Sequence, residues 1–359
     1  MTTEPVALTL KEILRQPESW QQAIEITGAQ APDIRNQLLE AGPDSYLFTG
    51  CGSSYYLSIA AAGFFQEVTG LPARAVPASE LILSAGTHVP KGRKVALFAF
   101  SRSGETTETV VALRRHQEEG RGPSVGITCR DTCAMAGLGS FTISLPAADD
   151  QSVVMTSSFT TMLLASLLIA ADLSGDHAAI SQLAGLPGVL RSQLEGQMGF
   201  GQRMGRDDSL KRFIFLGLGP FYGLACEAML KLKEMTQVPS EAYSPLDFRH
   251  GPISVVEPGT TAVLLGTDRA MTQELQVLAD IRKLGGGTSV LGGQVDPSMA
   301  DHTYSVGNGL TEVARALLYM PILQATAYYR ALLLGRDPDR PQHLTQVVTL
   351  DARSLESVS

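Results

Sequence analysis

Tyr46-Leu-Phe-Thr-Gly-Cys-Gly-Ser-Ser-Tyr55 decides the fold of this chain, and it has a second copy at Phe213-Ile-Phe-Leu-Gly-Leu-Gly-Pro-Phe-Tyr222. In each copy a short apolar run, typical of a buried strand, ends in two closely spaced glycines. The glycines and the final tyrosines coincide at an offset of 167 residues. A strand that ends in a glycine turn and leads into a helical pattern predicts the start of a βαβ unit.

The similarity continues downstream. Val95–Ser101 falls on Ala262–Asp268 at the same offset, and Val125–Thr128 falls on Val290–Gly293 at an offset of 165. Apolar strands resemble one another by chance in many α/β proteins, which is the alternative explanation. Three matches in the same order favour a duplicated domain.

Each copy alternates strand and helix patterns. The predicted strands are Tyr46–Thr49, Lys94–Phe100, Ser124–Thr128, Phe141–Ser144, Phe213–Leu216, Thr261–Gly266, Gly287–Leu291 and His302–Ser305. The clearest predicted helices are Ser54–Thr69, Glu105–Gln117, Tyr222–Glu234 and Thr272–Leu284. Such alternation predicts a parallel sheet with helices on both faces, and ligand binding at the carboxyl ends of its strands.

Composition excludes several classes of protein. The 359 residues are 44% hydrophobic and 18% charged, which is typical of a packed globular chain and not of a disordered one. The net charge of −8, without a basic stripe, argues against a nucleic-acid partner. The longest apolar run, Met162–Ala171, is too short for a bilayer span, so we expect no membrane partner.

The remaining composition bears on compartment and metals. No basic and then apolar leader opens the chain, and four cysteines do not make a disulfide scaffold, so we expect a cytoplasmic protein. Cys129 and Cys133 lack companion ligands, and the six histidines are scattered. We therefore expect neither a metal nor another cofactor.

Ser101-Arg-Ser-Gly-Glu-Thr-Thr-Glu108 is a candidate phosphate loop. It follows an apolar strand and opens a helix, whose N-terminal N–H groups favour an anion, and it supplies three hydroxyl side chains. It matches neither the nucleotide P-loop nor the dinucleotide fingerprint, which favours a single phosphate monoester. The alternative is an ordinary helix cap with Ser103 as the N-cap residue.

Two further turns are weaker candidates. Gly50–Ser54 is a glycine turn at a strand end, and Thr156–Thr160 is a hydroxyl-rich turn before an apolar helix, which is also what a capped core helix looks like. Asp268–Met271, the matching loop of the second copy, has lost its small hydroxyl residues. We therefore expect the phosphate site in the first copy only.

The second copy offers groups for proton transfer. Glu227, Lys231 and Glu234 are spaced to share one helix face. A ladder of solvated charges is the alternative interpretation. His250 lies in a loop before Pro252, and histidine moves protons near neutral pH, although a surface histidine is the commoner case.

The chain resembles the double sugar-isomerase-domain (SIS) family over nearly its whole length. The matching motifs, in order, are Gly50–Tyr55, Ser101–Thr106, Leu230–Glu234, Glu241–Tyr243 and Arg249–Pro252. Leu10–Pro17 also resembles the leader of the isomerase part of glucosamine-6-phosphate synthase. The resemblance implies two tandem flavodoxin-like α/β/α domains.

The resemblance also implies residue roles. The phosphate would be bound by the loop that contains Ser101, Arg102, Ser103 and Thr106, and the sugar would be lined by Gly52, Ser53 and Ser54. Glu234 would move the proton between C1 and C2 with Lys231 beside it, and His250 would assist ring opening, often from the partner subunit. The implied assembly is a homodimer with shared active sites.

Differences from the glucosamine-6-phosphate synthase sequence indicate which branch of the SIS family the chain resembles. We expect the chain to lack the amidotransferase half, and the resemblance implies that Gln346 takes the place of the tail lysine that forms a Schiff base, at the substrate- and phosphate-binding site. Without that lysine we expect no covalent capture of a ketose. Met155–Phe159 resembles the tagatose-6-phosphate ketose/aldose isomerase branch, whose members are also described as galactosamine-6-phosphate deaminases.

Three functions remain open from the sequence. The first is isomerisation of a 6-phospho amino sugar with loss of ammonia, the second is a fructosamine-6-phosphate deglycase, and the third is a sugar-phosphate sensor without turnover. Retention of Glu234 and His250 favours an enzyme. The predicted organisation is a leader with helices (1–45), a phosphate-binding domain (46–175), a linker helix (176–208), a domain with the Glu and His (209–335) and a tail (336–359).

Overall fold

The structure is a computed structural model that describes residues 7–352 and 355. Ten strands form two parallel sheets. They are β1 (Ser45–Gly50), β2 (Ala73–Pro77), β3 (Val95–Ser101), β4 (Ser124–Thr128), β5 (Phe141–Ser144), β6 (Arg212–Gly217), β7 (Ser240–Tyr243), β8 (Thr260–Leu265), β9 (Gly287–Gly292) and β10 (His302–Ser305). The first sheet has the order β2-β1-β3-β4-β5, and the second has the same order, β7-β6-β8-β9-β10. The predicted α/β fold with two tandem parallel sheets is confirmed.

Helices connect and cover the strands. They are α1 (Leu8–Leu14), α2 (Gln16–Ala41), α3 (Ser53–Thr69), α4 (Ala78–Leu83), α5 (Ala85–His88), α6 (Thr107–Glu118), α7 (Ser157–Ser174), α8 (His177–Arg206), α9 (Phe221–Thr236), α10 (Met271–Lys283) and α11 (Glu312–Leu333). The predicted helices lie within one or two residues of the observed bounds. The segment expected to join the two copies is the long helix α8.

The chain forms two compact units, each assembled from separate stretches. The first-sheet unit contains Arg15–Gln151, Met155–Pro187 and residues from Thr345 onward. The second-sheet unit contains residues up to Leu14, together with Ser152–Val154 and Gly188–Leu344. The short helix α1 therefore packs with the second sheet's helices, against α11, although it is the first element in the sequence.

Alternation along the strands builds the core of the first-sheet unit. Leu47, Leu97 and Ala99 point to one face, where they join a cluster with residues of α4 and α6. Phe48 and Phe98 point to the other face, and their rings pack against Phe65 of α3. Successive side chains of a strand alternate between faces, so both faces of a covered parallel sheet are apolar.

Helix α7 is the apolar helix that the sequence analysis found. It is long and apolar enough to cross a membrane, but 83% of it is buried inside the structure. It packs against α2 and α3. A helix that is apolar all round and covered in this way is a core helix.

Two strands, β2 and β7, were missed by the sequence analysis. Both are edge strands of four or five residues, and their side chains are mostly only half-buried. Edge strands carry little of the apolar pattern that identifies a strand, because one side of the backbone and part of each face meet solvent.

The sheet register corrects how the two copies correspond. Ser45 pairs with Val95, and Arg212 pairs with Thr260, so β3 and β8 correspond at an offset of 165 when β1 and β6 correspond at 167. The expected equivalence of Ser101 with Asp268 is therefore wrong. The physical reason is that the connection from the first to the third strand is two residues shorter in the second copy.

Candidate functional site

The candidate loops of the first-sheet unit follow β1 and β3. These strands are neighbours in the sheet, and the strand order reverses direction between them. In open parallel sheets a ligand crevice forms at this switch point, outside the carboxyl ends of the strands. The fold therefore places the turn at Gly50–Ser54 and the loop at Ser101–Thr106 at the same edge of one sheet.

The first turn needs its glycines. A Cβ at Gly50 would lie 2.6 Å from Cβ of Ser54, and Gly52 has a φ of 55°, in the left-handed region. This turn lets α3 begin directly at Ser53, whose side chain is buried with that of Ser54. The Ser54 hydroxyl contacts the Met155 sulfur at 3.8 Å.

The hydroxyl groups of the candidate phosphate loop are held by one another and by the backbone. The Ser101 and Thr106 hydroxyls are 3.1 Å apart, and Ser101 Oγ accepts from Gly104 N at 3.1 Å. Ser103 Oγ accepts from Glu105 N at 3.1 Å. The hydrogen on Ser103 Oγ, and one of the two on the Ser101–Thr106 pair, are not used by these bonds. The loop thus keeps O–H donors for an anion.

Gly104 permits the tight path of this loop. Its φ is +67°, and a Cβ there would lie 2.2 Å from the Cys133 sulfur. Helix α6 begins after the loop with Thr106 as its N-cap residue, so the alternative interpretation of Ser103 as the N-cap is wrong. Ser103 lies three residues earlier, within the loop itself.

The structure brings Gln346 to the candidate phosphate loop. Arg102 is only 5% exposed, and its Nη2 donates to the Gln346 carbonyl oxygen at 2.7 Å. Gln346 Nε2 donates to the Asp150 carbonyl oxygen at 2.9 Å. A few residues later, Leu350 N donates to Thr107 Oγ1 at 3.0 Å. The tail segment therefore runs along the loop and the start of α6.

The hydroxyl-rich turn at Thr156–Thr160 is a capped core helix. Asp150 Oδ2 accepts from Thr156 N at 2.8 Å, from Ser158 N at 3.0 Å and from Ser158 Oγ at 2.6 Å. The turn is buried, and the Asp150 carboxylate already supplies the negative charge that a helix N-terminus favours. The expectation of a third ligand turn here is therefore wrong.

Sequence reasoning missed the role of Asp150. Its carboxylate also pairs with Arg15 Nη2 at 3.2 Å, so it joins the start of α2 to the start of α7. The available signal was the Asp149–Asp150 pair shortly before a run of hydroxyl residues. Acidic side chains are favoured at helix N-termini, and this pair was the anion that the turn needed.

In the second-sheet unit, α9 presents the predicted charged face. Lys231 Nζ lies 3.4 Å from Glu227 Oε1 and also contacts Glu234 Oε2. Glu227 and Lys231 are 0% exposed, whereas the Glu234 side chain is 20% exposed. The alternative of a solvated ladder is therefore wrong. Burial alone would lower the pKa of Lys231, but the two carboxylates outweigh it and raise the pKa.

His250 lies in the loop after β7, in the same unit. The loop is anchored by Phe248, which is fully buried and packs its ring against Tyr243. Arg249 pairs with Asp280 of α10 at 2.6 Å. His250 itself is exposed, so its ring is accessible.

The hydroxyl of Tyr243 donates to Glu241 at 2.5 Å, which raises the pKa of Tyr243 to about 12.

The arrangement offers two kinds of chemistry in two units. The first-sheet unit has hydroxyl donors and a buried guanidinium suited to an anion. The second-sheet unit has a positioned carboxylate and an exposed imidazole suited to proton transfer. Among residues 7–352 and 355, no group of three or more His, Cys, Asp or Glu side chains is arranged to hold a metal ion.

Comparison with known proteins places the chain in a family. The SIS domain profile matches residues 41–171 and 209–327. The glutamine–fructose-6-phosphate aminotransferase (isomerizing) of Vibrio parahaemolyticus is 27% identical over 365 residues, covering 95% of this chain and 58% of that protein. The corresponding protein of Pyrococcus horikoshii is 28% identical over 349 residues, covering 95% and 57%. The chain thus spans less than two thirds of these relatives.

Solved structures share the fold. Tagatose-6-phosphate ketose/aldose isomerase from Escherichia coli has a TM-score of 0.85 at 23% identity, over 94% of this chain and 97% of that one. Glucosamine-6-phosphate deaminase from Thermotoga maritima has a TM-score of 0.77 at 26% identity, over 96% and 100%. Because the two profile matches cover more than half of the chain and each contains one complete sheet, the chain belongs to the SIS domain family, with two copies of the domain.

Proposed function

We propose that the chain is a phosphosugar isomerase that acts on a 6-phospho amino sugar and releases ammonia. The observation that carries the proposal is the charge arrangement on α9. Lys231 is fully buried, and it contacts the partly exposed carboxylate of Glu234. A carboxylate held in place by a buried ammonium is a positioned base, which is what an aldose–ketose isomerisation requires.

The proposed reaction is a proton transfer followed by hydrolysis. Glu234 takes the proton from C2 of the open-chain amino aldose and returns it to C1. The C1 oxygen gains a proton, so the aldehyde becomes a hydroxymethyl group, and the amine at C2 loses an N–H proton and becomes an imine. Water then hydrolyses the imine to the C2 ketone and ammonia, so the reaction balances without an oxidant or reductant. His250, as the family resemblance implies, assists ring opening.

The phosphate anchor in this proposal is the loop at Ser101–Thr106. Its support is the unused O–H donor on Ser103 and the one left on the Ser101–Thr106 pair, next to the N-terminus of α6. Arg102 adds a buried positive charge. A charge-assisted hydrogen bond to a phosphate is about twice as strong as a neutral one, so a few such donors suffice to bind the phosphate group of the substrate. Gly52, Ser53 and Ser54 would line the sugar.

An amino sugar is favoured over a plain ketose substrate by the residue at position 346. The resemblance places Gln346 where the synthase has its Schiff-base lysine, and the Gln346 carbonyl oxygen contacts the candidate phosphate loop. A carboxamide does not form a Schiff base with a ketose. A substrate that brings its own nitrogen needs no such lysine. The deaminase name of the Thermotoga maritima protein, at 26% identity, points the same way.

Product analysis tests the proposal. The purified chain is incubated with the 6-phosphates of glucosamine, galactosamine and fructosamines, and ammonia and ketose 6-phosphate are measured together. We expect equal amounts of both products from one amino sugar. Release of a free amino acid from a fructosamine phosphate would instead make the chain a deglycase. Binding of these sugars without any turnover would overturn the enzyme assignment in favour of a sensor.

A further inference from the structure

A cavity lies at the carboxyl edge of the second sheet, and none of its lining residues has a role in the proposed reaction. It has a volume of about 450 Å³, within the range of small-molecule sites. The loops after β8, β9 and β10 form its walls, and Arg315 of α11 lies among its lining residues. The lining is Asp268, Met271, Gly293, Gln294, Asn308, Gly309, Leu310 and Arg315.

Arg315 is the feature that indicates a ligand. It is 2% exposed, its Nε donates to Tyr319 Oη at 3.2 Å and its Nη1 donates to the Leu310 carbonyl oxygen at 3.2 Å. Its Nη2 lies 2.8 Å from Asp268 Oδ1. Of the five N–H groups of a guanidinium, two are used by the bonds from Nε and Nη1. Nη2 is buried and has an ion pair with Asp268 but no hydrogen-bond partner in the part of the chain that the structure describes. Asp268 is the one carboxylate paired with Arg315 among the described residues, and its side chain is 57% exposed, so the buried cation is poorly compensated.

The backbone is shaped around this guanidinium. A Cβ at Gly293 would lie 2.4 Å from Arg315 Nη1, so the loop after β9 comes close only because it has no side chain there. Tyr319 Oη also donates to the Gly266 carbonyl oxygen at 3.0 Å, which ties the base of the cavity to the end of β8. The walls are therefore fixed before a ligand arrives, as is usual for binding sites.

The charges behind the cavity wall are already paired. Glu312 accepts from the backbone N–H groups of Asp268 and Arg269, and it pairs with the Arg269 side chain at 3.3 Å. Glu274 is buried and accepts from Thr267 N and Oγ1. Of the charged groups, Arg315 and Asp268 line the cavity, one of each sign. A phosphate dianion would meet Asp268 with Glu312 close behind it, which disfavours phosphate.

We propose that this cavity binds a free α-amino acid as its zwitterion. The planar carboxylate of the amino acid accepts hydrogen bonds from the unused N–H groups of Arg315, a geometry that guanidinium groups favour. The ammonium group takes Asp268 Oδ2, which has no hydrogen-bond partner within the described part of the chain. Gln294 Nε2 donates to Asn308 Oδ1 at 3.0 Å, and the remaining amide oxygen and N–H₂ group are available to a polar ligand side chain. The proposal does not depend on the isomerase assignment.

Calorimetric titration of the full chain tests the proposal. The probes are the common L-amino acids, with acetate, methylamine, L-serinamide and inorganic phosphate as comparisons. We expect at least one amino acid to bind with a Kd below about 10 mM. Each comparison probe lacks one of the two charges or is a dianion, and we expect it to bind ~10–150-fold more weakly, the worth of one hydrogen bond to a charged group.

Variants locate the binding. Asp268→Asn changes an exposed side chain, and we expect it to weaken amino-acid binding ~10-fold or more. Asp296→Asn, a matched change in an exposed loop carboxylate of the same unit, is expected to leave binding unchanged. Failure of every amino acid to bind, or equal binding by Asp268→Asn and the unaltered chain, would overturn the proposal. Both outcomes are read without any sugar phosphate, so neither bears on the proposed isomerase reaction.

Discussion

The carbonyl oxygen of Gln346 accepts a hydrogen bond of 2.7 Å from Nη2 of Arg102, 244 residues earlier in the chain. The bond orders the side chain of a phosphate-loop residue through the backbone of the tail. Any side chain at position 346 offers the same carbonyl, so this contact does not depend on the glutamine. The Gln346 side chain is instead used in the bond to the Asp150 carbonyl oxygen.

Ser103→Ala tests the phosphate loop. Ser103 Oγ accepts from Glu105 N, so its own hydrogen is available for the phosphate. We expect KM for the 6-phosphate to rise ~10–150-fold, since a hydrogen bond to a charged group is worth ~1.5–3 kcal/mol. Steady-state kinetics measures the change. Ser174→Ala, an exposed serine of the same unit, is the control, and an unchanged KM in Ser103→Ala would refute the loop assignment.

Glu234→Gln tests the proposed base. The amide keeps the size of the side chain but cannot take a proton. We expect kcat for ammonia release to fall by about 10²–10⁴-fold, with sugar-phosphate binding little changed. The control is Glu195→Gln, an exposed glutamate of the same unit, which should keep full activity. Near-complete turnover by Glu234→Gln would exclude Glu234 as the proton shuttle.

Mixed variants test the expected sharing of active sites in a homodimer. If His250 serves the partner's site, a hybrid of Glu234→Gln and His250→Ala subunits has one intact site of its two. Random exchange makes half of the dimers hybrids, so we expect about a quarter of the unaltered activity to return. Native mass spectrometry monitors the subunit exchange, and ammonia release is measured once hybrids have formed. Exchange without recovered activity means that both residues serve one subunit's own site.

The pH dependence of stability tests Glu274. Burial raises the pKa of this carboxyl from 4.5 to about 7. Between these values the folded chain keeps a proton that the unfolded chain releases, so the free energy of unfolding falls as pH rises through this window. Glu274→Gln removes the titration, so its stability relative to the unaltered chain should rise by about 1–3 kcal/mol from pH ~4.5 to pH ~7.

Urea unfolding at both ends of that window measures this difference. Gln can keep the contact pattern, accepting from Thr267 N and donating to Thr267 Oγ1. Glu257→Gln, an exposed glutamate of the same unit, is the control and should show no such pH-dependent gain. A constant difference between Glu274→Gln and the unaltered chain across the window would contradict the raised pKa.

Asp339→Ala tests the tether of α1. The Asp339 carboxylate accepts from Leu8 N at 2.8 Å, from Thr9 N at 2.8 Å and from Thr9 Oγ1 at 2.7 Å. Loss of a helix N-cap costs about 0.5–2 kcal/mol, so we expect a lower unfolding midpoint and faster hydrogen exchange at Thr9. Asp131→Ala, an exposed aspartate, is the control. Equal exchange at Thr9 in both variants would show that the cap contributes nothing.

Local pattern was enough to predict most of the fold. The bounds of β4, β5 and β10 agree with the prediction to the residue. β4 is fully buried, whereas β5 and β10 are edge strands whose aromatic and β-branched residues between turns were signal enough. The shared face of Glu227, Lys231 and Glu234 also follows from the helical period alone. The burial of that face does not, because it depends on how the elements that contact α9, namely α11, β6 and β7, pack around it, which the period does not reveal.

Long-range contacts set the limit of prediction. Asp150 supplies the anion at the start of α7, and Asp339 caps α1. Both roles depend on tertiary contacts that form only when the chain folds. Nothing in the local sequence distinguishes Arg315 from any other helix charge, because only the tertiary fold shows that Gly293 leaves space for its guanidinium. In each case a single polar residue is matched to a partner by the tertiary fold, and no periodicity records such a match.

The contact between Thr9 and Asp339 sets an order of events during protein synthesis. Domains generally fold from the N-terminus as the chain leaves the ribosome. Here α1 precedes both sheets in the chain, but the carboxylate that completes its first turn is translated 330 residues after Thr9. Until Asp339 has been translated, the N-terminal amides of α1 lack these hydrogen bonds. We therefore expect α1 to be less ordered in a nascent chain that has not yet reached Asp339 than in the folded protein.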